Sequence, residues 1–194
     1  MSSRRSPGRP RDSALDALVM GSVLDVIEDE GLRGCSIDEV AARAGVSKAS
    51  IYRRWDSKED LVIDAVACLA DSVVIPFKRE IRADLISIVS QMGSFINEMP
   101  AGSVFPWLVG EVAAGTKIGR RYAEAVIAPR RRMVVELIEG AIARGELRSE
   151  LDVELAVDML IGPILVRKLT GHSPRGEGDW AESLVGGLLD GWRP

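Results

Sequence analysis

Apolar residues recur at three- and four-residue spacing along most of this 194-residue chain, and no stretch sustains the two-residue alternation of a strand. That pattern predicts helices throughout. Leu15, Leu18, Val19, Val23, Val26 and Ile27 fall on one side of a first helix, which Gly31 and Gly34 end. Ser36 followed by Glu39 has the form of a capping box, in which the hydroxyl accepts from the N3 amide and the carboxylate reaches back. Ile37, Val40, Ala41 and Ala44 then give a short helix one apolar face, and Gly45 supplies the left-handed residue that stops it. Ser47 caps a further helix over 47–54, with Ile51 and Trp55 on its inner side. A longer helix over 57–70 opens on Ser57 and Asp60 and turns Leu61, Val62, Ala65, Val66 and Leu69 inward.

Beyond a loop or bent connection at 72–82, which contains Pro76, the spacing predicts a helix over 83–99, broken by Pro100-Ala101-Gly102. A short helix over 103–114 and a long one over 117–144 follow, and Pro129 either kinks the long one or divides it in two. From 153 to 170 apolar residues run nearly all round the helix, so it needs cover on every side. The last helix, 179–192, carries Ala181, Leu184, Val185, Leu188 and Leu189 in a seam, and Gly186-Gly187 permits close approach.

Two short helices joined at Gly45, with small Ala41 at their crossing, make a helix-turn-helix whose recognition helix is 47–54. Its outer side carries Lys48, Ala49, Ser50, Tyr52 and Arg53. The short residues let the backbone enter a major groove, while the longer polar ones reach base edges or phosphates. Ser36 and Ser47 sit at helix starts beside that surface, and Lys58 opens the next helix, where ammonium and free amides together suit a phosphate. A plain helical hairpin with a solvated basic face has the same local pattern. The chain as a whole is acidic, with a net charge of −4. Positive charge is local: Arg43, Lys48, Arg53, Arg54 and Lys58 face only Asp56 between residues 43 and 58, and such a patch binds phosphates on an acidic molecule. Residues 1–11 form a polar arm in which Gly8-Arg9-Pro10, with Arg11, has the composition to lie in a narrow minor groove, or simply to solubilise the terminus.

Ala44-Gly45-Val46-Ser47, Ile51-Tyr52-Arg53-Arg54-Trp55 and Ser57-Lys58-Glu59-Asp60-Leu61 resemble the DNA-binding domain of TetR/AcrR-type transcriptional regulators over residues 12–65. Trp55 stands where that family more often has Phe, and keeps the apolar role. The resemblance implies an all-α homodimer: an N-terminal three-helix helix-turn-helix domain plus a C-terminal helical ligand-binding and dimerisation domain. The domain boundaries so implied are a flexible basic arm at 1–11, the DNA-binding domain at 12–58 and the ligand-binding domain at 59–194, with the 57–70 helix connecting them. The partner it implies is a double-stranded operator with inverted half-sites.

Within the C-terminal part, Met92, Phe95, Met99, Phe105, Trp107, Leu108, Met133, Leu137 and Met159 are bulky, apolar and partly flexible, as suits an adaptable pocket for a small apolar effector, or an ordinary core. Glu111 in an apolar helix is a surface carboxylate, a structural acceptor or the counter-charge to a cationic ligand. Leu165 and Leu169 of one helix and Leu184, Val185, Leu188 and Leu189 of the next are placed at a four-helix dimer interface.

Composition supports a helical globule: 46% of residues are hydrophobic and 5% aromatic. Cys35 and Cys68 are far apart and lack metal-ligand spacing, which fits packing roles in a reducing compartment. The N-terminus is charged without an apolar run, and the apolar stretch at 159–166 is too short for a span, so a cytoplasmic protein is expected. His172 is the sole histidine and has no nucleophile partner pattern; there is no phosphate loop or metal cluster, and no enzyme, cofactor or metal is expected. The sequence therefore predicts a sequence-specific DNA-binding regulator, a repressor released by a small-molecule effector. A DNA-organising protein on the same scaffold and a small-molecule carrier are the alternatives.

Overall fold

Capping side chains and glycine stops set the helix boundaries in a computed structural model of the chain, which describes residues 13–72, 80–98, 104–171 and 177–194. Ten α-helices follow one another among those residues: α1 Ser13–Gly34, α2 Ile37–Ala44, α3 Lys48–Tyr52, α4 Lys58–Asp71, α5 Ile81–Glu98, α6 Val104–Ala113, α7 Lys117–Tyr122, α8 Ala128–Ala143, α9 Val153–Thr170 and α10 Glu177–Trp192. The chain divides into two units between Ala65 and Val66, inside α4, whereas the sequence placed the division at residue 58. Pro76, Met99 and His172 lie outside the described residues, as does the arm with Arg9 and Arg11.

In the first unit α1 packs on α2 and α2 on α3. Val19, Val23, Val26, Ile27, Val40, Ile51 and Leu61 are buried there, as the spacing predicts. Leu18, expected on the same inner side of α1, is exposed. Gly31 takes φ 72° and ψ 166° and breaks the helical path of α1 three residues before Gly34.

In the second unit α5 packs against α8, α9 and α10, and α8 against α9. Leu85, Ile88 and Val89 meet Val134, Ile138, Val157, Leu160, Ile164, Val185 and Leu189 in its buried core. Val185 and Leu189, placed at a dimer seam by the sequence, are thus core residues of the protomer. The reason is geometric: with Ala181 and Trp192 they form the stripe of α10 that is buried within its own protomer.

The long helix over 117–144 resolves into three parts. Thr116 caps α7 by accepting from the Gly119 amide at 3.0 Å. A π-helical turn, Ala123–Ile127, then joins α7 to α8, and the Ala128 amide donates to Ala123 O, five residues back. Pro129, at the start of α8, has no amide to give to the normal ladder, so the widened turn precedes it. The helix continues through the proline instead of dividing there.

Helices α6 and α7 cross at Gly119, which is buried. A Cβ built there would stand 2.1 Å from the Glu111 carbonyl oxygen and 2.4 Å from its carbon. Both are backbone atoms, so no side chain can move aside. Gly119→Ala is expected to lower stability by roughly 1–3 kcal/mol, as overpacking does. Gly21→Ala, where a Cβ meets nothing within 4 Å, should instead gain about 0.5–1 kcal/mol from helix propensity. Thermal unfolding followed by far-ultraviolet circular dichroism checks both, and equal midpoints for the two variants would contradict the crossing argument.

Candidate nucleic-acid interface and effector cavity

Ser36 caps α2, its hydroxyl accepting from the Glu39 amide at 3.2 Å. The Glu39 carboxylate turns to Arg43 Nη2 at 3.8 Å, so one half of the expected capping box forms. Gly45 ends α2 at φ 65°, and the Val46 amide returns to Ala41 O at 3.0 Å. Ser47 caps α3 by accepting from the Ser50 amide at 3.2 Å.

Helix α3 is only five residues long, where the sequence predicts eight. Arg53 and Arg54 continue it as a turn, and the Trp55 amide donates to Ile51 O at 3.0 Å. Three side chains hold that turn down. Ile51 is fully buried, and Trp55 is buried with its Nε1 donating to Asp64 Oδ2 at 3.0 Å. Arg54 donates to Asp16 Oδ1 of α1 at 2.5 Å and to Ser50 O at 3.0 Å.

The opposite side is open. Ser47, Lys48, Ala49, Tyr52 and Arg53 are exposed and Ser50 is half-buried, so the residues chosen from the sequence do share one surface. Lys48 pairs with exposed Asp38, and Ser47 and Ser50 share a hydroxyl contact at 3.1 Å. Arg53 donates to Ser50 Oγ at 2.8 Å.

Lys58 departs from the sequence reading. Its ammonium donates to Cys35 O at 2.9 Å and to Leu32 O at 3.3 Å, which ties the start of α4 to the corner between α1 and α2. Two of its three hydrogens are therefore directed at protein carbonyls, not at solvent. Arg43 likewise bonds Asp29 of α1 at 2.5 Å. Of the five cations counted between residues 43 and 58, Arg53 alone has neither an acidic nor a carbonyl partner among the described residues. Burial pushes the Cys35 thiol up from its ordinary range, with Lys58 pulling the other way, which fits a packed and unreactive sulfur.

The second unit contains a partly open cavity of about 520 Å³. Ala70 and Asp71 from the end of α4, Met92, Phe95 and Ile96 from α5, and Phe105 and Val109 from α6 form part of its wall. Tyr122, Val126, Ile127, Pro129, Arg130, Arg131 and Met133 come from the π turn and its surroundings, and Asp158, Ile161, Gly162 and Leu165 from α9. Met92, Phe95, Phe105 and Met133 are thus brought together as the sequence reading expects. Trp107, Leu108, Glu111, Leu137 and Met159 do not line it. Leu108 is buried in the core, and the Glu111 carboxylate accepts from Thr116 Oγ1 at 2.6 Å, the structural role among its three readings. Met159 faces outward, and Leu165, assigned to the dimer seam, lines the cavity instead. Arg130 and Tyr122 had no signal in the sequence, because their placement follows from the π turn.

Arg130 Nη1 donates to Val126 O at 3.1 Å, and its guanidinium lies 5.7 Å from the Phe95 ring centroid. Burial lowers its proton affinity, with Asp71 and Tyr122 acting against the shift. Burial also pushes the Tyr122 hydroxyl up to about 12, so it stays a neutral donor.

Residues 24–65 match the family model described as bacterial regulatory proteins, tetR family, and residues 75–188 match the tetracyclin repressor-like C-terminal domain. The uncharacterized HTH-type transcriptional regulator YdeS of Bacillus subtilis is 31% identical over 170 residues, covering 87% of this chain and 84% of the relative. The DNA-binding transcriptional repressor TetR of Mycobacteroides abscessus is 26% identical over 190 residues, covering 93% and 92%. The crystal structure of the TetR family transcription regulator SCO0332 superposes with a TM-score of 0.74 at 28% identity, covering 93% of this chain and 99% of that one. The matches span both units of the fold, and the chain belongs to the TetR family of bacterial transcriptional regulators.

Proposed function

We propose that the protein is a homodimeric repressor that binds an inverted-repeat operator through α3 and is released when a small molecule fills the cavity of the second unit. The observation that carries the operator half is the exposed face of α3, on which Arg53 is a cation left unpaired and Tyr52 is 54% exposed. The Lys48–Asp38 pair is solvent-exposed, so it holds little energy and exchanges readily for a base edge or a phosphate. Ala49 leaves room for close approach to the groove, and Ser36, Ser47 and Ser50 surround it with hydroxyls. Arg9 and Arg11 are proposed to follow the adjacent minor groove. Lys58 is reassigned from phosphate contact to fixing α4 on the α1–α2 corner.

For the effector half, α4 is one helix from Lys58, bonded at the α1–α2 corner, to Asp71 in the cavity wall. A ligand that prefers one setting of that helix shifts operator affinity by its differential affinity for the two states.

For the dimer, the free face is on α9. Leu155, Met159, Val166 and Leu169 are exposed at three-, four- and seven-residue intervals along it, and Val166 is 59% exposed. Half-buried Leu184 and Leu188 on α10 extend the surface. A second copy supplies cover of the same kind by two-fold symmetry.

Selection of bound sequences from random DNA tests the reading directly: a short inverted repeat with half-sites one helical turn or more apart is expected, and no enrichment would overturn it. A DNA organiser would enrich no single motif, and a carrier would bind no DNA. Against the selected operator, Arg53→Ala should relax selectivity at one base of each half-site, worth roughly 1–3 kcal/mol, with unchanged thermal stability. Lys58→Met should do the reverse, losing roughly 1–3 kcal/mol of stability from two orphaned carbonyls while the salt dependence of binding keeps its slope. A flatter slope for Lys58→Met would return that residue to the phosphates.

Val166→Glu or Met159→Glu should dissociate the dimer, because an unpaired charge in a dry seam costs several kcal/mol. Sedimentation at micromolar concentration reads the result, and a dimer indifferent to both changes would place the interface elsewhere.

A further inference from the structure

The cavity holds four charged side chains in its wall: Asp71, Arg130, Arg131 and Asp158. Their charges do not cancel evenly. Arg131 is saturated, with Glu154 Oε2 at 2.5 Å and Asp158 Oδ1 at 2.6 Å, and Asp158 is thereby engaged as well. Arg130 is not. Its carboxylate partner, Asp71 Oδ1, stands 3.7 Å from Nη2, beyond hydrogen-bond range. The two sides of this pair differ sharply in solvation, since the Arg130 side chain is 20% exposed and that of Asp71 is 77% exposed. A largely buried cation thus faces an exposed and distant anion, in a cavity whose lining is otherwise mostly apolar, with Gln91, Tyr122 and the Arg131–Asp158 pair as the other polar members.

A buried cation in this position gains most from an anion that comes in with the apolar body and sheds water with it. Tyr122 adds a second donor. The residue is 4% exposed and lines the cavity together with Arg130. Its hydroxyl makes no hydrogen bond to a described residue. A cationic ligand finds no equivalent, because Asp71 is already hydrated and Asp158 already paired.

From this geometry we infer that the cavity takes an apolar molecule bearing a single anionic group, received by the Arg130 guanidinium and the Tyr122 hydroxyl. The inference rests on the reading of the cavity as the effector site and names the class of effector. It also gives the ligand a grip on the helix that enters the cavity. Asp71 is the last residue of α4, so an anion that takes over Arg130 screens the weak, long-range attraction between the guanidinium and the end of that helix. The Nη1 bond to Val126 O is left in place and keeps the guanidinium anchored to the π turn.

Isothermal titration of the protein with dodecanoate, its neutral analogue dodecanol and the cation dodecyltrimethylammonium, each below its solubility limit or micelle formation, tests it. Wild type should bind dodecanoate at least about ten-fold more tightly than dodecanol, the scale of a charge-assisted hydrogen bond, and bind the cation least. Arg130→Gln should remove that preference while dodecanol binding is retained, which shows that the cavity is intact. Arg130→Lys should restore much of the preference, and Arg131→Gln should leave it unchanged. Tyr122→Phe should weaken dodecanoate several-fold and spare dodecanol.

Equal binding of dodecanoate and dodecanol, stronger binding of the cation, no binding of any of the three, or an anion preference that survives Arg130→Gln would each overturn the inference. Operator affinity measured with each probe separates it from the functional reading. If dodecanol binds as well as dodecanoate and either one lowers operator affinity, the ligand-responsive regulator stands and the anionic effector falls.

Discussion

A helix of five residues cannot hold its own shape in water, because nucleation fixes more backbone than its few hydrogen bonds repay. The exposed turn of the helix-turn-helix therefore depends on what grips α3 from behind. Buried Ile51 supplies the apolar anchor, Trp55 adds a second with its indole bonded to Asp64, and Arg54 reaches across to Asp16 of α1. Because all three lie on one side, Lys48, Tyr52 and Arg53 are presented together on the other. The rest of the first unit serves that placement: Arg43 joins α2 to α1 through Asp29, and Lys58 joins α4 to the carbonyls at the α1–α2 corner.

This arrangement changes how the local positive charge should be understood. Counted along the sequence, residues 43–58 form a basic patch on an acidic chain. In the folded unit most of those cations are internal fasteners, and the charge free to meet a phosphate or a base is concentrated at Arg53, with Lys48 in a loose surface pair. Few free cations among the described residues 43–58 favour recognition by shape and base edges at that surface over bulk attraction to DNA. It also explains how a chain of net charge −4 can carry a DNA-reading surface.

What was legible in the sequence follows from how local the cause was. Ser36, Gly45 and Ser47 act within four residues of themselves, so both helices of the DNA-reading motif and the turn between them are plain from the chain alone. The helix 153–170 is likewise recovered to the residue, since Asp152 caps it and Gly171 ends it. Long-range choices were not legible. An apolar stripe does not say which neighbour covers it, so Val185 and Leu189 went to the core while Met159 went outward, the reverse of their expected places. Nor does a lysine at a helix start reveal that two carbonyls from a distant corner await it, as they do Lys58. Four of the residues expected at a pocket line the cavity, whereas Tyr122 and Arg130 enter it through a π turn that only Pro129 hinted at.

The chain passes from one unit to the other within α4, and in the proposed reading that continuity links the cavity to the operator. Linkage requires that the two ligands affect each other by one common factor, typically worth about 1–3 kcal/mol. The most direct test is therefore dodecanoate affinity measured by titration calorimetry on the free protein and on the protein saturated with its selected operator. Binding to the operator complex is expected to be weaker, by the same factor by which saturating dodecanoate weakens operator binding. Equal dodecanoate affinity in the two states would contradict this linkage.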